Sequence, residues 1–445
     1  MLRPAPALLA LAAGLAACGD NVPGPDSPGA VLEKLRALDG VTVEQVPTDA
    51  AGYTFFVLRF TQPVDHGNPG GPTFQQRVSL LHRDAGAPVI ALTSGYWDYY
   101  RDSVYELTSL LGANQISIEH RYFGESRPDP ADWSLLTIRQ MADDEHGIVG
   151  ALRTVYPGAF LATGPSKGGM TATYYRRFYP DDVDGTVPYV APISFGAPDP
   201  RYDGFLDTVG PPECRSAVRT AAIEMLMNRR AALVAHAQDQ ATEAGHAYTR
   251  ILLGPAVESS VAGLEWAFWQ YYGVNYCTKV PPPTASDLDL WQFLDLISPV
   301  TDNDDESIGQ FEAYYYQSYA QLGYPDAGGT YLKPYLQYTD ADYARALPTA
   351  VPAYDGGAAM QDIDAFVKGE SSRMLFVYGE WDPWTAGAYQ LGQAADSLRL
   401  VQAQGTHGSR LARLATADRA MAFDRLAMWT GVVPNLPQPR AASAR

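Results

Sequence analysis

The chain has 445 residues, of which 46% are hydrophobic, 18% charged and 11% aromatic. This composition excludes a disordered protein. The chain is long enough for a large domain with an insertion, or for two to three ordinary domains. The formal net charge is -18 and no segment is strongly basic, which argues against nucleic acid as a partner.

The N-terminus predicts export. Arg3 precedes an apolar run from Ala5 to Ala17, which is too short to span a bilayer but suits the core of a signal peptide. The run leads directly into Cys18, and Leu15-Ala16-Ala17-Cys18 resembles the lipobox of bacterial lipoproteins, whose cysteine is acylated. We therefore expect a lipoprotein signal peptide at residues 1–17, and membrane attachment only through a lipid on Cys18. The alternative is an ordinary cleaved signal peptide and a secreted protein.

A flexible tether is predicted at residues 18–38, because the segment is rich in Pro and Gly and lacks an apolar period at its start. The chain then continues as β-strands. Segments rich in β-branched and aromatic residues predict an antiparallel start to a sheet, and apolar runs after them predict parallel strands buried on both faces. The antiparallel strands are expected at 41–46, 53–60 and 74–81, and the parallel ones at 88–92, 115–118 and 159–163.

Helices are predicted at 137–156 and 168–179, and another buried strand at 187–193, so residues 39–200 form the first part of an α/β domain. Residues 201–350 lose the alternation of strand and helix, and predict a mainly helical cap inserted into that domain. Pieces such as 217–241 and 264–272 have helical character. The domain resumes at 351–434, with strands at 374–378 and 398–403 and a helix at about 413–429, and residues 435–445 form a tail.

A nucleophile motif follows the predicted strand 159–163. Gly164-Pro165-Ser166-Lys167-Gly168 has the pattern G-x-S-x-G and leads directly into a helix. In α/β-hydrolases this context is a sharp strand-to-helix turn that lifts the serine Oγ above the sheet. Ser166 is therefore the candidate nucleophile, although the same motif also occurs as a glycine-rich turn without catalysis.

The partners of such a serine follow it in the chain order acid, then histidine. The strand 374–378 is followed by Glu380 and Asp382, and the next strand by His407 in a glycine-flanked loop. Asp382, just past the strand end, is the preferred acid that orients the imidazole, and Glu380 is the rival. His407 is the candidate general base.

Two backbone N-H groups are expected to bind the oxyanion: that of Lys167, directly after the nucleophile, and that of Tyr96, in the loop after strand 88–92. A mechanism that uses the Lys167 side chain as the base is disfavoured, because that side chain should point away from Ser166.

Three other groups of residues could carry chemistry. Cys214 and Cys277 are expected to form a disulfide in an oxidising compartment, with two buried thiols as the alternative. His66 and His120 are interpreted as parts of a turn and of a polar loop. The sequence lacks the motif H-E-x-x-H and paired Cys/His spacing, so neither a metal nor another cofactor is expected.

Several motifs together resemble one family. The chain is similar to the secreted tripeptidyl aminopeptidases of the streptomycete type and, more distantly, to lysosomal prolyl carboxypeptidase and dipeptidyl peptidase II. The motifs are Gln62-Pro63-Val64-Asp65-His66, Phe74-Gln75-Gln76-Arg77-Val78, Glu119-His120-Arg121-Tyr122-Phe123-Gly124-Glu125-Ser126, Gly164-Pro165-Ser166-Lys167-Gly168-Gly169-Met170 and Asp182-Val183-Asp184-Gly185-Thr186-Val187. The resemblance spans about residues 40–430. It implies an α/β-hydrolase fold with a helical cap and a Ser, Asp, His triad at Ser166, Asp382 and His407. The distant relatives differ in two residues around the nucleophile, so their preference for proline does not transfer.

The expected activity is hydrolysis of peptide bonds through an acyl-enzyme, with short peptides as substrates and an aminopeptidase of the tripeptidyl type as the most specific form. An aminopeptidase must fix the free amine of its substrate, and Glu125 is the candidate carboxylate, unless it only braces Arg121 or Arg127. The alternatives are a lipase or esterase with the same triad, and a surface lipoprotein that binds without catalysis. The sequence leaves the oligomeric state open.

Overall fold

The structure of the protein is a computed structural model, and it describes residues 28–98, 102–325, 329–348 and 351–436. The expected signal peptide, Cys18 and residues 437–445 of the expected tail lie outside this part of the chain. Among the described residues, no helix combines the length and the apolar character that a membrane span needs.

The sheet that organises the molecule has nine strands within the described residues. They are β1 (Val41–Val46), β2 (Thr54–Pro63), β3 (Thr73–His82), β4 (Val89–Thr93), β5 (Asn114–Ile118), β6 (Phe160–Pro165), β7 (Gly185–Tyr189), β8 (Leu375–Gly379) and β9 (Leu398–Gln402). Their spatial order is β1-β2-β3-β5-β4-β6-β7-β8-β9. The pairs β1-β2, β2-β3 and β3-β5 are antiparallel, and every later pair is parallel. The antiparallel start and the parallel continuation are as predicted.

The central strands are buried on both faces, and in β5 the buried residues include the polar Asn114, Gln115 and Ser117. Every residue of β4, β5, β7 and β8 is buried, as helices on both sides of a parallel sheet require. The expected strand 187–193 begins and ends earlier than predicted: β7 ends at Tyr189, and Val190 takes a positive φ of 45°.

Helices pack around the sheet and form the segment between β7 and β8. They are α1 (Pro28–Arg36), α2 (Glu106–Leu111), α3 (Ile138–Arg153), α4 (Lys167–Phe178), α5 (Arg201–Leu206), α6 (Pro212–Glu224), α7 (Arg230–Ala244), α8 (Leu253–Ala262), α9 (Leu264–Ala267), α10 (Asp287–Ile297), α11 (Asp305–Gln317), α12 (Asp340–Tyr343), α13 (Ala358–Gly369) and α14 (Thr416–Thr430). The described residues from 201 to 348 hold helices and no strand, and most of them share a hydrophobic cluster of their own. The fold is an α/β-hydrolase fold with a mainly helical insertion.

The insertion departs from the expected helices in detail. The predicted helix 217–241 is two helices, α6 and α7, joined by a π-helical turn at Met225–Arg229. Cys214 in α6 and Cys277 form a disulfide with their Cα atoms 5.3 Å apart. This bond ties α6 to the 3-10 segment Gly273–Lys279.

The prediction of a flexible tether at 18–38 is wrong for the last part of that segment. Residues 28–36 form α1, and the side chains of Val31 and Leu35 are fully buried in the main hydrophobic cluster. These two residues are one helical turn apart and therefore lie on the same face. Their burial anchors the segment to the sheet, which the nearby Pro and Gly residues concealed in the sequence.

Candidate active site

Ser166 lies in a tight turn between β6 and α4. Its backbone has φ 54° and ψ -125°, a conformation that non-glycine residues rarely adopt, and its N-H donates to the carbonyl oxygen of Tyr189 at 2.8 Å. A Cβ added at Gly164 or at Gly168 would overlap the carbonyl oxygen of Thr93, so both glycines are needed for the close approach of β4. The G-x-S-x-G sequence thus forms a strained strand-to-helix turn of the kind that carries the nucleophile in α/β-hydrolases.

Asp382 and His407 meet above the carboxyl ends of β8 and β9. The Nδ1 atom of His407 lies 2.7 Å from Oδ2 of Asp382, a hydrogen-bonding distance at which the N-H donates to the carboxylate. Asp382 is fully buried, and its Oδ1 accepts a bond from the N-H of Trp384 at 3.2 Å. This arrangement fixes the imidazole tautomer and leaves Nε2 free of that carboxylate.

Ser166 and His407 line the same cavity, which has a volume of about 470 Å³. The sheet contributes the loop after β4 and the nucleophile turn, and the insertion covers the other side. The lining residues are Ser94, Tyr96, Pro165, Ser166, Lys167, Met170, Pro192, Gln270, Tyr271, Phe311, Tyr314, Trp384, His407 and Arg410. Five of them are aromatic, and none is Asp or Glu among the described residues. The cavity therefore combines a serine hydroxyl, an imidazole and apolar walls without a fixed negative charge at its surface.

The two residues expected to form the oxyanion site also line this cavity. Tyr96 follows β4, and its N-H donates to Oγ of Ser94 at 3.0 Å, so this N-H has a polar oxygen partner within the loop. The side chain of Lys167 extends toward the loop after β4, where its Nζ donates to the carbonyl oxygen of Gly95 at 2.5 Å. That geometry gives no support to Lys167 as the base.

The rival acid lies elsewhere. Glu380 is exposed, and its Oε2 accepts a bond from the N-H of Gln404 at 2.7 Å. It therefore supports the loop before His407 from outside, while Asp382 contacts the imidazole.

Neither expectation for Glu125 matches the structure. Its carboxylate accepts bonds from Arg59 at 2.7 Å and from Arg77 at 2.9 Å, whereas Arg121 pairs with Asp144 and Arg127 with Glu312. Glu125 lines a different cavity from Ser166. A carboxylate that is neutralised by two guanidinium groups outside the catalytic cavity is poorly suited to bind a substrate amine. The structure therefore gives no support to Glu125 as the residue that binds the substrate amine.

The two other histidines occupy supporting positions. The Nε2 atom of His66 lies 2.7 Å from Oδ1 of Asp144, which is also the partner of the fully buried Arg121. The Nδ1 atom of His120 lies 2.7 Å from the carbonyl oxygen of Arg121, and burial lowers the pKa of this imidazole well below its usual value. Neither lines the cavity that contains Ser166.

Sequence reasoning missed the contribution of the insertion to this cavity. The backbone N-H of His407 donates to the carbonyl oxygen of Gln270 at 2.8 Å, which ties the histidine loop to the π-helical turn Phe268–Tyr272. Tyr271 stands edge-on to the imidazole at 6.2 Å between ring centres. The only sequence signal for these residues is the abundance of Tyr and Trp, which does not identify individual positions.

Comparison with known proteins adds three findings. The model of the family described as PS-10 peptidase S37 matches residues 28–445. The chain is 40% identical to the prolyl tri/tetrapeptidyl aminopeptidase of Streptomyces mobaraensis over 93% of this chain and 88% of that protein. It is 31% identical to the human lysosomal Pro-X carboxypeptidase over 37% of this chain and 38% of that protein.

Among solved structures, the chain is similar to a proline iminopeptidase of Mycobacterium smegmatis. The similarity covers 87% of this chain and all of that one at 16% identity, with a TM-score of 0.40, so the two superpose only loosely.

Proposed function

Because the chain belongs to the PS-10 peptidase S37 family and is a serine peptidase, we propose that it hydrolyses peptide bonds through Ser166, His407 and Asp382. His407 takes the proton of the Ser166 hydroxyl as its Oγ attacks the peptide carbonyl. The N-H groups of Lys167 and Tyr96 are the proposed donors to the oxyanion of the tetrahedral intermediate. The Tyr96 N-H donates to Oγ of Ser94 in the structure and has to leave that bond to reach the oxyanion. The protonated His407 then gives its proton to the leaving amine, and an acyl-enzyme remains. Water, deprotonated by His407, hydrolyses that ester.

One observation carries this proposal. The contact between His407 and the fully buried Asp382 lies beside the cavity that also exposes Ser166 at its strained turn. A nucleophile, a base within reach of the same cavity and an acid that orients the base are the parts that acyl transfer requires.

The finer part of the proposal is that the enzyme is an aminopeptidase that releases short peptides, of the tripeptidyl type. Its support is the relative from Streptomyces mobaraensis, which is similar over nearly the full length of both chains. A cavity of about 470 Å³ suits a short peptide segment better than a folded protein. Its aromatic walls offer ring faces for an ammonium group and for apolar side chains, in place of the carboxylate expected at Glu125.

We also propose that the protein works outside the cytoplasm, after removal of residues 1–17, with Cys18 as the site of lipid attachment. In this organisation the described parts of residues 39–200 and 351–434 form the catalytic domain, and residues 201–350 its cap. The disulfide between Cys214 and Cys277 fits an oxidising compartment. Replacing Cys18 by Ser should move the protein from the membrane fraction to the soluble fraction, and a wild-type protein that is already soluble would refute the anchor.

The experiment that tests the proposal is product analysis by mass spectrometry. The purified enzyme is incubated with peptides of about four to ten residues that carry either a free or an acetylated N-terminus, and Ser166→Ala serves as the matched control. Release of tripeptides from the free peptides only, by wild type only, is expected, since loss of a triad member removes orders of magnitude in rate. Products from internal or C-terminal cleavage would refute the aminopeptidase part, and undiminished turnover by Ser166→Ala would refute the nucleophile.

A further inference from the structure

The cavity that contains Ser166 is also lined by Arg410, whose side chain has no part in the reaction described above. Arg410 lies three residues after His407, in the loop that follows β9. Its side chain packs on two buried tyrosine rings, with the guanidinium carbon Cζ 5.7 Å from the ring centre of Tyr105 and 5.8 Å from that of Tyr189. The two rings thus support the guanidinium group.

Most of the hydrogen-bonding capacity of Arg410 is unused. A guanidinium group has five N-H donors and keeps its positive charge throughout the physiological pH range. Within the described residues only its Nη1 donates, to the carbonyl oxygen of Ser409 at 2.8 Å, and it forms no ion pair. The carboxylate of Glu106, which binds the same loop, accepts the backbone N-H groups of Leu411 at 3.1 Å and Ala412 at 2.9 Å instead. Arg410 therefore brings to the cavity a positive charge with donors that no described residue uses.

A carboxylate is the group of a peptide that matches such a guanidinium. Arg can donate two parallel hydrogen bonds to the two oxygens of a carboxylate, and every peptide with an unmodified C-terminus carries one. Among the described residues that line this cavity none is Asp or Glu, so a substrate carboxylate meets no like charge at its wall. The formal net charge of the chain is -18, which repels anions at long range. A preference for a substrate carboxylate would therefore have to come from a local contact.

The closeness of Arg410 to His407 indicates which part of a substrate it meets. His407 gives its proton to the leaving amine, so the nitrogen of the leaving fragment has to lie beside the imidazole. Three Cα–Cα steps of about 3.8 Å place the Cα atoms of these two residues at most about 11 Å apart. A turn shortens this distance, since the N-H and the Oγ of Ser409 donate to the carbonyl oxygen of Thr406 at 3.0 and 2.7 Å. One peptide residue spans about 3.5 Å, so a leaving fragment of about one or two residues can bring its carboxylate to Arg410.

We propose that Arg410 binds the C-terminal carboxylate of the substrate, on the leaving-group side of the scissile bond. This inference rests on the proposed function, because it presumes that His407 protonates the leaving amine. The contact makes the enzyme favour peptides that end about one or two residues after the scissile bond. Arg410 is thus a residue that selects substrates, and it takes no part in proton transfer.

The test compares peptides in pairs that differ only at the C-terminus, which is a carboxylate in one member and a carboxamide in the other. All peptides have a free N-terminus and about four to ten residues, and mass spectrometry identifies the leaving fragment. For leaving fragments of about one or two residues, we expect wild type to show a kcat/KM about 10- to 100-fold higher for the carboxylate, because the amide loses the charge-assisted bonds. The advantage should fade for longer leaving fragments, whose carboxylate lies beyond Arg410.

Three variants assign this ratio of kcat/KM values to its residue. Arg410→Met removes the charge and should lower the ratio to about 1, mainly by raising KM for the carboxylate peptide. Arg410→Lys keeps the charge and should retain part of the ratio. Arg413→Met is the matched control and should keep the wild-type ratio, because Arg413 is exposed in the same loop, bonds to the carbonyl oxygen of Gly408 at 3.2 Å and does not line the cavity. Each ratio is measured on one preparation, so it does not depend on the fraction of enzyme that is folded.

Equal kcat/KM values for the two members of every pair in wild type would overturn the inference. A ratio that stays high in Arg410→Met, or that falls equally in Arg413→Met, would also overturn it, because the preference would then come from another residue or from the overall charge of the loop. Failure of the proposed function looks different: wild type would then hydrolyse neither member of a pair and would not be labelled at Ser166 by a fluorophosphonate.

Discussion

Two carboxylates follow β8 within three residues, and their surroundings give them different roles. Asp382 is fully buried against His407, whereas Glu380 is exposed and bound to the backbone of Gln404. Asp382→Asn should lower kcat by about 10⁴-fold, because an amide favours the wrong imidazole tautomer. Glu380→Gln, the matched control, should change kcat less than about threefold. Steady-state kinetics on one peptide substrate checks both, and the reverse ranking would exchange the two roles.

Glu145 gives a prediction about stability and pH. Burial raises the pKa of its carboxyl group to about 8, and the charge of Asp144 adds to the shift. Between its usual pKa of 4.5 and about 8, the folded protein keeps a proton that the unfolded chain loses, so this group makes folding less favourable as pH rises. Gln does not titrate. The free energy of unfolding of Glu145→Gln relative to wild type should therefore increase with pH across this window, by at most about 1.4 kcal/mol per pH unit.

Denaturant unfolding of both proteins at about pH 5 and at about pH 8 measures that difference. A difference that stays constant or shrinks with rising pH would show that Glu145 is ionised in the folded protein throughout.

The sequence indicated some side chains of the site and not others, for a physical reason. Ser166, Asp382 and His407 each follow a strand end, and the order of parallel strands brings such ends to one edge of the sheet. The partners of Glu125 were not predictable in this way. Arg59 and Arg77 are 66 and 48 residues away in sequence, on β2 and β3, and nothing local links them to the loop that carries Glu125.

At the scale of elements, the buried strands were easier to predict from the sequence than the helices. β1 was predicted at its exact bounds, and the other strands to within a few residues, since apolar runs between turn residues are strong local signals. The helix α1 was missed because the segment directly before its two buried residues is rich in Pro and Gly. The helices of the insertion were predicted only as a class, because π-helical turns such as Met225–Arg229 have no clear sequence signature.

The burial of α1 leads to a stability prediction. Leu35 is fully buried against the main hydrophobic cluster, whereas Glu33 in the same helix is exposed. Leu35→Ala should lower the free energy of unfolding by about 2 to 5 kcal/mol through lost burial and a cavity. Glu33→Ala should change it by less than about 0.5 kcal/mol. Denaturant unfolding checks both values, and equal small effects would mean that this segment is a tether after all.

At the scale of the whole molecule, the cavity that contains Ser166 is shared between the sheet and the insertion. The sheet supplies Ser166 and His407, and the insertion supplies Gln270, whose carbonyl oxygen accepts the backbone N-H of His407. Access to Ser166 in this cavity therefore depends on the insertion, whereas the positions of Ser166, Asp382 and His407 depend on the ends of the strands. This division explains why the sequence indicated the candidate triad and not the residues of the insertion that line the same cavity.

The central claim is that Ser166 is the nucleophile of this peptidase, and covalent labelling tests it most directly. The protein is treated with a fluorophosphonate, digested, and its peptides are mapped by mass spectrometry. We predict a single adduct on the Oγ of Ser166, its loss in Ser166→Ala, and loss of peptide hydrolysis in proportion to labelling. An adduct on another residue, or full hydrolysis by a fully labelled protein, would contradict the claim.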